Sequence, residues 1–247
     1  AVFSGCGGSG QKESAGSTLT ELPYEENWES LSRHREAPEW FRDAKLGIYF
    51  HWGVYSVPAF DSEWYPHWMH FEDHKVYRHH VDNYGHPSVF GYHDFVPMFT
   101  AEHFDAEEWA ELFRRAGARF AGPVAEHHDG FSMWDSEITP WNSMDKGPMK
   151  DITGELKNAL EKRDMKLITT FHHARNLQRY TDTIPDPVNP YFQQEWEYWN
   201  SHYPAIEGMP PLTGDEELQY LYGNIPQEEW LEEVWYGKLK EVIDQYR

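Results

Sequence analysis

Apolar residues in this chain fall into short runs separated by polar stretches rich in proline and histidine, and the runs alternate between two periods. Leu46-Gly47-Ile48-Tyr49-Phe50-His51-Trp52-Gly53 groups β-branched and aromatic residues and closes on glycine, the pattern of a buried strand. Helical spacing takes over next. Asp105 and Glu108 form a D-x-x-E capping box, Trp109, Leu112, Phe113 and Ala116 share a face, and Gly117 is a natural stop. Residues 120–125 read as a second buried strand, interrupted by Pro123, which has no N–H for a ladder bond. A second helix is predicted over residues 151–162, with Ile152, Leu156, Ala159 and Leu160 on one side, and a third strand over residues 165–171. The last helix runs from Pro226 to Tyr246 with Trp230, Val234, Leu239 and Val242 as its stripe. Two segments lack clear periodicity. Residues 54–98 read as an elaborate loop region with short helical pieces, and residues 176–224 as a proline-containing loop.

Strand, helix, strand, helix, strand, helix is the order of parallel βα units, which predicts an α/β fold. Polar residues gather after each strand: His51 after the first, His127 and His128 after the second, His172 and His173 after the third. A (β/α)8 barrel places its chemistry at those carboxyl ends. An open doubly wound sheet alternates too, but no Gly-rich phosphate loop opens a helix here. The expectation is therefore an incomplete (β/α)8 TIM-type barrel, its first three βα units joined by long βα loops. A closed barrel needs eight units, and residue 1 is alanine, so the chain is expected to be part of a longer protein. Residues 1–27 are expected to form a leader and tether, and residues 28–247 the amino-terminal portion of a catalytic barrel.

Composition narrows the ligand. Aromatic residues make up 17% of the 247, including 12 tryptophans and 15 tyrosines, a supply suited to stacking on sugars as well as to core packing. The net charge of −21 opposes phosphate backbones and anionic membranes, so no nucleic-acid partner is expected, and the ligand should be neutral or cationic. Cys6 is the one cysteine, which leaves no disulfide framework and no thiolate metal cluster. Val2-Phe3-Ser4-Gly5-Cys6 resembles the end of a bacterial lipoprotein signal, with Phe3 where leucine is usual, and Gly7 to Ser17 reads as a flexible tether. This predicts lipidation of Cys6 and a place at a bacterial cell envelope or periplasm, with secretion as the alternative.

The motif 46–58 ending in Val54-Tyr55-Ser56-Val57-Pro58, together with Ser62-Glu63-Trp64-Tyr65 and His127-His128-Asp129-Gly130-Phe131 through Trp134, resembles the alpha-L-fucosidase family of retaining glycoside hydrolases. Phe99-Thr100-Ala101-Glu102, Phe104-Asp105, Trp109-Ala110, Ala116-Gly117-Ala118 and Gly147-Pro148-Met149-Lys150-Asp151 follow in the family's order. The resemblance implies a barrel, a fucosylated glycan as substrate, no cofactor, and a sugar pocket lined by His51, Glu63, Trp64, His127 and His128. Phe171 and His172 join that pocket as further expected contacts. It also implies double displacement by an aspartate nucleophile and a separate acid/base through a covalent glycosyl intermediate, both carboxyl groups being expected after Arg247. Two departures stand out: Glu126 occupies a position that is commonly basic, and Phe171-His172-His173 replaces an aromatic followed by small residues.

Neutral imidazole offers one donor and one acceptor, which suits sugar hydroxyls. Neighbouring strand residues face opposite ways, so His127 and His128 reach one ligand only if the chain leaves strand geometry, which Gly130 permits. Asp129 reads as a structural acid holding that loop, and His79 and His80 as surface or loop residues. Two other readings stay open: a noncatalytic fucose-binding relative, and a metal-dependent TIM-barrel hydrolase using the strand-end histidines. The second is opposed by His51-Trp52-Gly53, where a metal motif would have two histidines one residue apart.

Overall fold

A computed structural model describes residues 25, 27–33, 37–176, 207–209 and 213–246. Cys6 and most of the predicted leader lie outside the described residues. The chain divides into two compact units, Ala1–Asp43 and Ala44–Arg247. In the first, a single turn α1, Trp28–Leu31, is capped by the side chain of Asn27, which accepts from the Ser30 N–H. A second short helix, α2, covers Glu39–Ala44.

The larger unit is built on a parallel sheet. β1, Gly47–Phe50, pairs along its length with β2, Phe120–Glu126, in the register Gly47 to Phe120 through Phe50 to Pro123. The predicted third strand is observed as two short pieces, β3 at Lys166–Leu167 and β4 at Thr170–Phe171, both parallel to β2. The cause lies in β2. Pro123 has no N–H to give, and at Gly122 a Cβ would stand 1.6 Å from the Ile168 carbonyl oxygen. Pairing with β3 ends at Ala121 and pairing with β4 begins at Val124, so proline falls in the gap.

Both predicted helices between the strands form where their caps dictate. α5, Ala106–Ala116, starts at Asp105, whose carboxylate accepts from the Glu108 N–H at 3.0 Å, and stops at Gly117 in the left-handed region. Its buried face is Ala106, Ala110 and Phe113, with Trp109 partly buried; Leu112 and Ala116, expected on that face, are exposed. α6, Ile152–Glu161, is capped by Asp151 and buries all four of its predicted apolar residues. α5 and α6 lie side by side, joined at the surface by Arg163, which donates to Glu107 at 2.6 Å.

Residues 54–98 hold more helix than expected: α3 at Tyr65–Trp68, α4 at Lys75–Tyr84, and 3-10 turns at Val54–Ser56 and Tyr92–Met98. His80, read as a surface or loop residue, is buried within α4, where it bonds the Tyr65 hydroxyl at 3.0 Å and the Phe90 carbonyl at 2.8 Å. α7, Glu216–Tyr222, lies in the segment expected to be loop. The final helix is unbroken along the chain but not uniform in type: α8, Gln227–Glu229, passes through a π-helical stretch, Trp230–Tyr236, into α9, Gly237–Tyr246. Its buried positions are Trp230, Val234, Lys238 and Val242, so Lys238 takes the place expected of Leu239. Among the described residues no helix is long and apolar enough to cross a membrane.

Candidate sugar site at the carboxyl ends of the strands

Each of the first three strand positions delivers an imidazole to one place. Tyr49 and His51 are two residues apart and so share a side of β1. The Tyr49 hydroxyl lies 3.3 Å from Nε2 of His51 and 3.0 Å from Nε2 of His172, which follows β4. A phenol has one proton, so it donates to one ring and accepts from the other, tying the two tautomers together.

β2 ends at Glu126 and the backbone turns at once. His127 and His128 stand with ring centres 4.5 Å apart and are hydrogen-bonded through their Nδ1 atoms. The turn depends on Gly130, at φ +78°, where a Cβ would meet the Leu221 carbonyl oxygen at 2.5 Å. Asn176 pins the same loop, donating to the carbonyls of His128 at 3.2 Å and Leu221 at 2.9 Å. Buried Asp129 accepts from the Tyr92 hydroxyl at 2.7 Å, which holds the loop from below.

Aromatic contacts close the cluster. The Trp64 ring stacks on His128 at 4.2 Å and 17°, and meets His127 edge-on at 5.7 Å. His127 lies 5.3 Å from His51, 4.7 Å from His172 and 5.6 Å from Tyr55, ring centre to ring centre. One nitrogen from each of His51, His127 and His172 comes within 4.8 Å of the others. Trp52, next to His51, points the other way and packs on Phe99, Phe104 and Trp109.

The electrostatics keep the His127 and His172 rings neutral. Burial, then repulsion by His172 and His51, pushes the His127 pKa down to about 3. His172 is lowered as well, by burial first and then by His51, with Glu63 opposing. Glu63 also raises the Tyr49 pKa behind the larger effect of burial, and that of Tyr55 behind burial and Asp129, so its carboxylate faces the same space. The Tyr55 hydroxyl is buried and stays protonated, held so by burial first and then by the Asp129 and Glu63 carboxylates. The result is a polar floor of imidazole and phenol groups with the Asp129 and Glu63 carboxylates nearby.

Of the expected site residues, His51, Glu63, Trp64, His127, His128 and His172 come together. Phe171 does not. Because His172 faces the cluster, its strand neighbour faces the opposite way, and Phe171 packs on Trp134 at 5.8 Å beside Ala125 and Val242. His173 likewise turns to the final helix, 3.2 Å from the Trp235 carbonyl. Tyr49 was not anticipated, although its i, i+2 relation to His51 was the available signal.

Glu126, the unusual acid before the histidine pair, is 1% exposed and paired with Lys238, equally buried, at 2.8 and 2.9 Å. Ser132 donates to it at 2.6 Å, and the Glu126 carbonyl accepts from the His172 N–H at 2.9 Å. An ion pair thus anchors the end of β2 directly behind His127. No sequence signal pointed to Lys238, because the π-helical stretch alters which residue faces inward.

A profile of the family described as Alpha-L-fucosidase matches residues 12–247. The chain belongs to the alpha-L-fucosidase family. It is 41% identical to the rat tissue alpha-L-fucosidase over 209 residues and 40% identical to the human one over 211, each match covering 72% of this chain. The chain spans 45% and 44% of the length of those relatives. Among solved structures, the Thermotoga maritima alpha-fucosidase in complex with fucose superposes with a TM-score of 0.65 at 30% identity, covering 90% of this chain and 47% of that one. The same enzyme with a mechanism-based inhibitor gives 0.64. The imidazole cluster is therefore a feature of an alpha-L-fucosidase-family chain, set where the strands of its parallel sheet end.

Proposed function

We propose that this chain supplies one wall of the fucose pocket of an alpha-L-fucosidase, an exo-acting retaining hydrolase of terminal alpha-L-fucosyl linkages. The observation that carries this reading is the convergence of His51, His127 and His172 from adjacent parallel strands, with Trp64 stacked on His128 beside them. A fucose ring presents hydroxyls that need donors and acceptors together, and neutral imidazoles supply both. Trp64 supplies an apolar face for the sugar's C–H edge.

On this reading the sheet is the beginning of an eight-unit barrel. The two carboxyl groups of double displacement come from strands later than these three units, and the wall seen here binds and orients the sugar without exchanging its proton or bond. The complete protein is lipid-anchored through Cys6 at a bacterial cell envelope. Cys6→Ser should move it from the membrane fraction to the soluble fraction; unchanged fractionation refutes the anchor.

The site is tested by fucose titration of the chain by calorimetry, alongside aryl-fucoside hydrolysis by the complete protein. His51→Ala or His127→Ala should weaken binding about two- to tenfold, since a hydrogen bond to a neutral group contributes about 0.5–1.5 kcal/mol and each ring has one nitrogen not already bonded to Tyr49 or His128. Near-normal values in both variants overturn the assignment. Fucose binding without hydrolysis by the complete protein would mark a noncatalytic relative.

A further inference from the structure

We infer that His51, His127 and His172 form a binding site for one divalent transition-metal ion of the zinc class, so that such an ion is a reversible ligand of this pocket. Zinc binds imidazole nitrogen at about 2.0–2.1 Å in tetrahedral geometry. Adding about 1.1 Å from nitrogen to ring centre puts each ring centre about 3.2 Å from the ion, and three rings at tetrahedral angles then lie about 5.2 Å apart. The three observed separations are 5.3, 5.5 and 4.7 Å. The nitrogens, within 4.8 Å of one another, need to close to about 3.4 Å. His51 is exposed at the rim of the cluster, so it has room to make that adjustment.

Three further features favour an ion. A metal-bound imidazole is ordinarily fixed through its second nitrogen, and His127 is fixed through Nδ1 to His128. The Glu63 carboxylate acts on His172 and on Tyr49, and it would offset part of the ion's charge. His51 leaves the fourth position open to water. Binding has a cost, since it requires the near-parallel rings of His127 and His172, 16° apart, to tilt and the Tyr49 hydroxyl to give up its imidazole contacts. Three nitrogens of one donor type suit zinc, copper and nickel and give little hold on magnesium or calcium.

The ion would occupy the space assigned above to fucose, and that competition, unlike the ion site itself, rests on the proposed function. The test is titration of the full chain with zinc ion by calorimetry at neutral pH, repeated with cobalt(II) to read its visible spectrum. Wild type should bind one ion per chain. His51→Gln and His172→Gln should each weaken it at least tenfold, while exposed His103→Gln, outside the cluster, should not change it. His51→Gln changes an exposed side chain, and its melting curve will confirm that it is folded. No stoichiometric ion in wild type, or wild-type affinity retained in His51→Gln and His172→Gln, overturns the inference. Zinc binding that leaves fucose affinity unchanged would uphold the ion site and remove fucose from this pocket. Fucose binding with no zinc binding would do the reverse.

Discussion

Lys238→Met should be among the costliest single substitutions in this fold. The ammonium and the Glu126 carboxylate are each 1% exposed, and they meet through two contacts of 2.8 and 2.9 Å. Removing the cation leaves the carboxylate buried with the Ser132 hydroxyl as its remaining side-chain donor among the described residues. Leaving one partner of a buried pair behind costs about 3–5 kcal/mol. A domain of this size loses about 2–4 °C in Tm per kcal/mol, so the expected drop is about 6–20 °C. The pair itself is worth far less than that, because desolvation of both ions offsets most of their attraction. Glu126→Leu combined with Lys238→Met should therefore recover most of the loss, less about 1 kcal/mol for the orphaned Ser132 hydroxyl. Thermal and urea unfolding of wild type, both single variants and the double variant form a cycle that reads the coupling. A loss under about 1 kcal/mol in Lys238→Met, or a double variant no better than the single ones, would refute the reasoning.

Two other outcomes follow from the same geometry. Burial holds His80 at a pKa of about 4 and, with its neighbours, His127 at about 3, against an ordinary 6.5. Folding therefore favours their neutral forms, so their stabilisation is complete above about pH 6.5 and is lost as pH falls towards the folded values. Between pH 6.5 and 5 each should cost about 2 kcal/mol, and His80→Phe should make the fall in urea midpoint shallower; a flat midpoint in wild type counts against this. Tyr49→Phe removes an exposed hydroxyl that bridges His51 and His172, so it should leave Tm unchanged and weaken fucose binding about two- to tenfold, as calorimetry will show.

What could be read from the chain was what local chemistry decides. Asp105, Gly117 and Asp151 fix helix ends through contacts within four residues, and the helices begin and end there. The histidines were found because they follow apolar runs. What escaped depended on partners distant in sequence. The split of the third strand arises from Gly122 and Pro123 on its neighbour, and the role of Tyr49 from a ring 123 residues away. α4 was hidden because its apolar face is interrupted by His80, whose buried ring is satisfied by Tyr65 and Phe90. Phe171 shows the opposite error: adjacency to His172 suggested a shared role, whereas strand alternation sends it to another core.

The π-helical stretch has a consequence for how this protein tolerates change in length. Trp230, Val234, Lys238 and Val242 recur every four residues, and on a regular α-helix such steps would drift by about 40° each. The wider turn absorbs part of that drift and lets one side of a single rod carry an indole, a valine, an ammonium and a second valine inward. Losing one residue there, Glu232 or Glu233, returns the wide turn to an ordinary α-turn and keeps the helix beyond it in phase, so that Lys238 still faces Glu126 and Val242 still faces Trp134 and Ala125. Losing one residue beyond Lys238, within the regular helix, instead rotates Val242 by about 100° away from that core. A scan of single-residue deletions should therefore find the exposed acidic stretch the more forgiving part of this rod.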